Sequence, residues 1–402
     1  MQRVIYRTFL RNYYLAGFFE DFVFAYAIYT VFFKIRGMSI FQISLLLGWW
    51  AFATLVFEIP SGALADHWSR KKMLTLAPII KSSCFIIWFF AQGNFYLYGL
   101  GFMFWALSES FVSGTTQALL YDQLKYAEKT DDYERVLGKK TFFSHLALAV
   151  SMVSGGFIAS HSLDWALLFS VVPLFFSAVF ACLIREVPKA KAAEEISYLK
   201  HIKIAFKEIR GNRVLLYLFA YFGVVFVAFG TLDEFDQLYY HLVRLPIFAF
   251  GIAGFIWSSL NAVGAHYAYK LKDRTWIFYF FPILSAVGII IVAGFPSVPV
   301  IGLLWFSYFL AAPLQVLIES KIQHNIRSSS RATVTSINAF FLNLSGALLA
   351  PILGFIGRLW NLQAIYLSMG ILLFVFAFWV FMARNKAVAK TANSPGPDEF
   401  IQ

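Results

Sequence analysis

Residues 62–72 have the sequence GALADHWSRKK and separate two long apolar stretches of the chain. The segment is polar and basic, which is typical of a loop at a membrane surface, where lysines meet lipid headgroups. Gly62 permits another helix to approach closely. Asp66 and Arg70 are four residues apart and are able to pair across a helical turn or between neighbouring helix ends. The pattern predicts a short basic loop between two membrane-spanning helices.

The composition of the 402-residue chain is that of an integral membrane protein. Hydrophobic residues make up 60% and charged residues 14% of the chain, and the mean hydropathy is +0.68. A soluble domain carries roughly 25% charged residues. Runs of about 20 apolar residues recur between short polar stretches, which is typical of helices that cross a bilayer. We therefore expect an all-α polytopic membrane protein.

About twelve spans are predicted. They lie near residues 12–34, 41–64, 73–92, 96–121, 141–160, 164–184, 214–241, 246–269, 275–294, 299–319, 332–356 and 363–383. Most of the 33 Lys and Arg residues then fall in loops on the same side as both termini. The exceptions are Lys34, Arg36, Arg244 and Arg358 in the opposite loops and Lys81 within a span. Because basic loops remain in the cytoplasm, both termini are expected there. The net charge of +11 is explained by this distribution and does not indicate a nucleic-acid partner.

The longest polar segment, residues 185–213, divides the chain into two halves of about six spans each. We expect an N-terminal six-helix bundle at 1–184, a cytoplasmic central loop at 185–213, a C-terminal six-helix bundle at 214–384 and a disordered cytoplasmic tail at 385–402. Residues 198–209 are either an amphipathic helix on the membrane surface or a solvated linker. Each half contains a span that ends in an acid, then a basic loop, then a glycine-containing span, which suggests duplicated halves.

The loop at residues 62–72 also resembles the signature of the major facilitator superfamily, G-x-x-x-D-[RK]-x-G-[RK]-[RK]. The matching residues are Gly62, Asp66, Arg70 and Lys71. His67 replaces the usual basic residue and Ser69 the usual glycine, so the tight turn of the loop is in question. The resemblance implies about twelve helices in two pseudo-symmetric six-helix bundles that rock around a central cavity, in a protein that is commonly a monomer.

The same resemblance implies a gating lock, in which the acid and the arginine of the loop join an acid at the cytoplasmic end of the fourth span. The residues assigned to it here are Gly62, Asp66, Arg70, Lys71 and Asp122, with Glu319 at a cytoplasmic helix end of the second half. Residues 58–60 (EIP) and 113–116 (SGTT) resemble the bacterial efflux-type branch. The Gly-Pro signature of drug:proton antiporters is missing from the fifth span, where residues 154–157 are SGGF.

Acidic residues inside the predicted spans are the candidates for the transport site. A charged side chain deep in a bilayer is costly unless it meets water, a partner or a ligand. By resemblance, spans one, four, seven and ten line the central cavity, and three of these carry acids. The candidates for substrate binding or proton coupling are Glu20, Asp21, Trp105, Glu109, Ser113, Asp233, Glu234 and Asp236. The alternative for each acid is a hydrogen-bonded side chain that holds helices together.

Glu109 is the best single candidate for proton or cation coupling. It lies near the middle of the fourth span among aromatic and hydroxyl side chains, where loss of hydration favours the neutral form of a carboxyl. Residues 233–236 lie near the outer interface, where a solvated rim and a binding site are equally consistent with the sequence. Lys81 lies about two turns into its span and is expected to extend to the cytoplasmic surface; a salt bridge with a cavity acid is the second interpretation.

No other chemistry is indicated. The chain has no phosphate-binding loop with its Lys-Ser/Thr, and its seven His and two Cys residues form no zinc-binding pattern, so we expect no cofactor, no metal and no enzymatic activity. We predict a secondary transporter of the bacterial inner membrane that exports a small cationic or zwitterionic organic compound in exchange for protons. The alternatives are a proton-coupled importer, a carrier of a metal ion or metal chelate such as a siderophore, and a non-transporting membrane sensor or scaffold.

Overall fold

The computed structural model describes residues 2–187, 211–325 and 331–392, and these ranges are helical and contain no β-strand. The helices of the first half are α1 (Gln2–Asp21), α2 (Tyr29–Ile35), α3 (Ile40–His67), α4 (Arg70–Ala91), α5 (Phe95–Val112), α6 (Thr115–Tyr126), α7 (Tyr133–His161) and α8 (Leu163–Cys182). The helices of the second half are α9 (Arg213–Leu242), α10 (Ile247–His266), α11 (Ile277–Gly294), α12 (Ile301–His324), α13 (Arg331–Leu359) and α14 (Leu362–Ala392).

The helices confirm an all-α polytopic membrane protein. Ten helical segments of the described ranges are long and apolar enough to cross a membrane. Two further predicted spans correspond to α5, which has 18 residues, and to α13, whose apolar part is Asn343–Leu359. Each predicted span therefore has a helix, or two successive helices, at its place.

Contacts divide the chain into two compact units. The first comprises Met1–Glu195 and Leu245–Phe255, and the second comprises Ile196–Arg244 and Ile256–Gln402. Most of the predicted central loop, including residues 198–209, lies outside the described residues, as does the tail from residue 393. Helix α14 continues beyond the predicted end of the last span to Ala392, because residues 385–392 (NKAVAKTA) are rich in the good helix formers Ala and Lys.

Two spans of the first unit are interrupted, where the sequence predicted continuous helices. In the first span α1 ends at Asp21, and a 3₁₀ turn at Phe24–Ala27 precedes α2. In the fourth span α5 ends at Val112 and α6 begins at Thr115, with Gly114 between them at φ +70°. Glycine adopts this left-handed conformation without a steric penalty, since it has no Cβ.

The interruption of the first span is stabilised by α7 and α8. The Ala25 N–H donates a hydrogen bond to the Ser170 hydroxyl at 3.0 Å, so a backbone donor released by the break is satisfied. Helix α7 lies against the 3₁₀ turn at Gly155, where a Cβ would overlap the backbone of Phe24. Glycine at position 155 is therefore required for this close approach.

An aromatic core holds the Trp105 side chain in place. Trp88 is fully buried, and its indole N–H donates to the Tyr98 carbonyl at 3.1 Å. The Trp105 ring centroid lies 5.8 Å from that of Trp88 and 6.0 Å from that of Phe102, with which it is stacked. Contacts between aromatic rings at these distances are stabilising beyond the area that they bury. The orientation of Trp105 is thus fixed by packing.

The close approach at Gly155 gives a stability prediction. We expect Gly155→Ala to destabilise the protein by about 1–3 kcal/mol, because the added methyl group must displace the 3₁₀ turn. The measurement is the thermal unfolding temperature of the purified protein in detergent. Gly138→Ala on the same helix is the control: nothing lies within 4 Å of its added Cβ, and alanine is the better helix former. Equal effects of the two substitutions would contradict the packing argument.

Candidate functional site

Acids of the first and fourth spans meet around a buried lysine of α4. We call these residues the Lys81 cluster: Glu20, Asp21, Tyr26, Lys81, Trp105 and Glu109. Lys81 is only 4% exposed, and its ammonium lies 5.4 Å from the ring centroid of Tyr26 and 5.5 Å from that of Trp105. Its carboxylate neighbours in electrostatic range are Glu109, Glu20 and Asp21. Aromatic faces and carboxylates together compensate a buried cation.

The acidic residues of the Lys81 cluster are more exposed than its lysine. The indole N–H of Trp105 donates a hydrogen bond of 2.8 Å to Oε1 of Glu109, and the Trp50 side chain is a further neighbour of this carboxylate. Glu20, Asp21 and Glu109 remain partly exposed, whereas Lys81 and Trp105 are buried. Lys81 is therefore the most deeply buried charged residue of the cluster.

The helix interruptions add negative potential at the same place. Glu20 and Asp21 are the last residues of α1, and Glu109 lies in the last turn of α5. The backbone carbonyl of Glu109 accepts a hydrogen bond from the Ser113 N–H at 2.8 Å. The last turn of a helix carries a partial negative charge from its carbonyl groups, so acids there are disfavoured without a nearby cation. The ammonium of Lys81 supplies that positive charge.

A second lysine, Lys140 of α7, approaches Glu20 from another side. A Cβ at Gly17 would come within 2.9 Å of its Cε, and Lys140 is an electrostatic neighbour of Glu20. Glu20 and Lys140 line a cavity of about 20 Å³, which has room for about one water molecule.

Both lysines differ from the sequence-based expectation. Lys81 does not extend to the surface, because its face of α4 carries the buried side chains of Ala77, Phe85 and Trp88 and points into the core. That spacing was visible in the sequence and indicated a buried lysine. Lys140 was placed in a loop before the fifth span, but α7 begins at Tyr133 and includes it.

The second unit contains a separate group of acids and tyrosines, which we call the Asp236 cluster: Asp233, Asp236, Tyr240, Tyr308 and Tyr366. Asp236 is 3% exposed, and its Oδ1 accepts a hydrogen bond of 2.9 Å from the Tyr366 hydroxyl. Its Oδ2 and the Tyr308 hydroxyl are both buried and have no hydrogen-bond partner in the described structure. Asp233 and Glu234 are partly exposed. Of the segment 233–236, Asp236 is thus a core residue and not part of a solvated rim.

The residues predicted for the gating lock include one direct ion pair. Arg70, at the start of α4, pairs with Asp122 of α6, and its guanidinium also donates to the Ala118 carbonyl at 3.2 Å. The arginine and aspartate side chains are 14% and 6% exposed. A pair this buried is costly to break, because either partner alone is left as an uncompensated charge.

Glu186, just after α8, joins the same end of α4 and was not identified from the sequence. Its carboxylate accepts hydrogen bonds from the Ser69 hydroxyl and, at 2.8 Å, from the Arg70 N–H. Ser69 in turn caps α4 by accepting the Lys72 N–H at 3.1 Å. With φ −69°, position 69 needs no glycine, so the serine that departs from the family motif serves as a helix cap.

Other predicted residues stay outside these clusters. Among the described residues, nothing lies within 4 Å of a Cβ built on Gly62. Lys71 is partly exposed and the Asp66 side chain lies outside the described structure. Glu319 is exposed and accepts a 3.0 Å hydrogen bond from Gln315. Ser113 is exposed. Its hydroxyl donates a 3.5 Å hydrogen bond to Oε1 of Glu58 and none to Glu109 in the described structure.

Interrupted membrane helices with ionisable side chains at their broken ends are features of secondary transporters. The chain belongs to the Major Facilitator Superfamily, whose family model matches residues 13–350. It is therefore an integral multi-pass membrane protein and a secondary transporter of small molecules.

Solved structures of transporters share the fold at low sequence identity. The nucleoside transporter NupG is 14% identical, with a TM-score of 0.75 over 94% of this chain and 98% of that one. A bacterial homologue of the human lysosomal transporter Spinster, in an inward-facing and occupied conformation, is 15% identical, with a TM-score of 0.73 over 95% of this chain and 97% of that one. A POT family transporter in complex with a thioalcohol-conjugated peptide is 12% identical, with a TM-score of 0.67 over 94% and 96%. No curated protein matches the chain by sequence.

The ion pair at the start of α4 gives a second prediction. We expect Asp122→Asn to destabilise the protein by up to about 3 kcal/mol, because the buried guanidinium of Arg70 loses its counter-charge. The thermal unfolding temperature in detergent measures this loss. Asp131→Asn removes an exposed acid of the next turn and is the control. If both variants unfold at the wild-type temperature, the pair does not stabilise this end of the helix.

The buried lysine gives a pH-dependent prediction. In Lys81→Met, the carboxylates of Glu20, Asp21 and Glu109 lose their central cation and repel one another when charged. Acid relieves the repulsion, because protonated carboxyls are neutral, so the loss of unfolding temperature relative to wild type grows as the pH rises from about 5 to 8. The exposed Lys139→Met is the control. A loss that is independent of pH would show that Lys81 only packs.

Proposed function

We propose that this chain exports a small organic cation or zwitterion in exchange for protons and that the Lys81 cluster binds the cargo. The observation that supports the proposal is the convergence of three partly exposed acidic residues on one aromatic-lined position. The efflux-type segments at residues 58–60 and 113–116 favour the direction of transport.

The chemistry of the cluster matches a positively charged group on the cargo. An ammonium or another organic cation is stabilised by carboxylates and by the faces of electron-rich rings. The rings of Tyr26 and Trp105 lie 5.4 Å apart and already contact the ammonium of Lys81, so the cluster accommodates a cation in this conformation. For a zwitterion, the ammonium groups of Lys81 and Lys140 are the partners of its carboxylate.

Competition at the same carboxylates accounts for exchange with protons. A carboxyl that has taken up a proton is neutral and no longer attracts a cation. Glu109 has the central role in this proposal, since its carboxylate is held by Trp105 and faces Lys81. Cargo release on protonation and cargo binding on deprotonation constitute antiport.

The Arg70–Asp122 pair is the proposed gating lock, with Glu186 as an additional member and Gly62, Asp66, Lys71 and Glu319 as its outer residues. The excess of Lys and Arg on the side of the termini supports a cytoplasmic location for this end of the helices. We propose that both termini are cytoplasmic and that the protein lies in a bacterial inner membrane. We infer that the protein acts as a monomer.

The alternatives differ in what they require of the same residues. A proton-coupled importer uses the same cluster with the opposite direction of flux. Transport of a metal ion receives no support from the geometry, because the described residues contain no group of three or more His, Cys, Asp or Glu side chains that could hold a metal. A sensor or scaffold needs no change of protonation at Glu109.

A ligand screen followed by a flux measurement tests the proposal. Purified protein is screened by thermal shift against organic cations, amino acids, nucleosides and metal ions, and each hit is repeated in Glu20→Gln, Asp21→Asn and Glu109→Gln. We expect at least one organic cation or zwitterion to stabilise the wild type and to lose its effect in these variants. A hit that survives all three substitutions would place the binding site elsewhere.

Flux in proteoliposomes then measures coupling and direction. With a pH gradient imposed, we expect Glu109→Gln to reduce exchange of the hit compound against protons by at least about tenfold, since loss of a required ionisable group costs well over 1.4 kcal/mol. Glu134→Gln removes an exposed acid of α7 and is the matched control. Movement of protons and cargo in the same direction would instead identify a symporter.

A further inference from the structure

A long groove opens on the surface of the second unit, at the end where α14 begins. It has a volume of about 700 Å³ and lies between the last turns of α11 and α13, along one face of α14. We call it the α14 groove. Most of its lining residues are aliphatic or small, and they include Ile290, Ile291, Gly294, Ala364, Leu367 and Ile371.

The α14 groove is about as long as one leaflet of a bilayer is deep. Its lining residues on α14 run from Asn361 to Ile371, which corresponds to about 15 Å along a helix. The hydrocarbon core of a bilayer is roughly 30 Å thick, so the groove extends through about half of it. Phe295 and Trp360 line the groove at the helix ends and are 71% and 70% exposed. Exposed aromatic residues at the ends of spans are typical of the membrane–water interface.

Polar side chains of the groove are concentrated at this interfacial end. Asn361 and Gln363 line it there. Ser368, further along α14, donates its hydroxyl hydrogen to the Ile365 carbonyl at 2.8 Å and is satisfied within its own helix. Side-chain amides can donate hydrogen bonds to ester oxygens, and an aliphatic surface suits an acyl chain. The change from polar to apolar lining therefore fits a phospholipid better than an entirely apolar partner helix.

The interfacial end of the groove favours a negative charge. Of residues 290–300 and 356–371, Arg358 is the one charged residue, and it is exposed in the last turn of α13. Helix α14 begins close to it in the chain, where the Asn361 side chain accepts the Ala364 N–H at 2.9 Å. The first turn of a helix carries a partial positive charge. A phosphate at this end is thus attracted by a guanidinium and by a helix N-terminus.

We propose that the α14 groove binds one anionic phospholipid, with an acyl chain along Ala364, Leu367 and Ile371 and with its phosphate at Arg358 and the start of α14. A lipid held in this way contacts α11, α13 and α14 together and stabilises this end of the second unit. The site lies outside the Lys81 cluster, the Asp236 cluster and the gating lock, so it is measured without cargo and without a pH gradient.

Native mass spectrometry of the purified protein tests the site, because it resolves each bound lipid by its mass. The protein is titrated in detergent with phosphatidylglycerol, which is anionic, or with phosphatidylcholine, which has no net charge. We expect the wild type to retain one phosphatidylglycerol more tightly than any further copy and more tightly than phosphatidylcholine. Equal retention of the two lipids, or a dimer of the chain without bound lipid, would overturn the proposal.

Two glycines provide a matched pair of variants. Nothing lies within 4 Å of a Cβ built on Gly294, which lines the groove, or on Gly302 at the start of α12, which does not. In Gly294→Leu the added side chain excludes about two methylene groups of the lipid, so we expect the affinity for phosphatidylglycerol to fall about tenfold. Gly302→Leu is expected to bind like the wild type. The same affinity in both variants contradicts binding in the groove.

Two further variants keep the test decisive if Gly294→Leu does not fold. Ala364→Leu fills the groove from α14 and is expected to weaken both lipids. Arg358→Gln is expected to abolish the preference for phosphatidylglycerol while phosphatidylcholine binds as before, because only the contact with the charge is removed. A preference that survives Arg358→Gln shows that this arginine does not hold the phosphate and overturns the assignment.

Photochemical labelling then locates the acyl chain. Phosphatidylglycerol with a diazirine in one acyl chain is bound to the protein and irradiated, and the labelled peptides are identified by mass. We expect label within residues 290–294 and 364–371 that is lost in Gly294→Leu. Label spread evenly over exposed apolar helix faces, such as that of α8 with Phe169 and Phe175, would indicate a general lipid belt and would overturn the proposal.

Discussion

The attraction between the buried ammonium of Lys81 and the carboxylates around it is the constraint on which the first unit depends. Lys81, at 4% exposure, has almost no contact with solvent, and three acidic side chains lie near it at helix ends. Each would be costly alone. Together they form an internal ion cluster in which the opposite charges compensate one another.

The two units meet the cost of buried acids by different means. In the first, cations from α4 and α7 face the carboxylates, and aromatic rings cover the ammonium. In the second, phenol hydroxyls surround the most deeply buried acid, and one of its oxygens has no partner. Weak internal repetition in the sequence has therefore not preserved the chemistry of the two halves. In the described residues, lysine lies beside the buried acids of the first unit, and tyrosine lies beside those of the second.

The sequence was sufficient for the fold class and the family, because apolar runs of span length and residues 62–72 are strong local signals. It also identified Glu20, Asp21, Trp105 and Glu109, which converge, since an acid in an apolar run is conspicuous. The helix interruptions were missed because the hydropathy pattern identifies apolar segments of span length. It does not detect a local change of backbone conformation such as the one at Gly114. Glu186 was missed because its partners at the start of α4 are distant in sequence. Ser113 was a candidate for the transport site, but its hydroxyl lies beside Glu58, because its orientation depends on the helix break at Gly114.

The interruption at Gly114 has a mechanical consequence for the fourth span. Glu109 lies beside Lys81 and belongs to α5, whereas Asp122 pairs with Arg70 and belongs to α6. The two acids are therefore carried by separate helices that are connected through Gly114. Rotation about one flexible residue changes the angle between the helices while leaving the hydrogen bonds within each intact. A change of backbone conformation at Gly114 alone would therefore alter the distance between the Glu109 and Asp122 side chains.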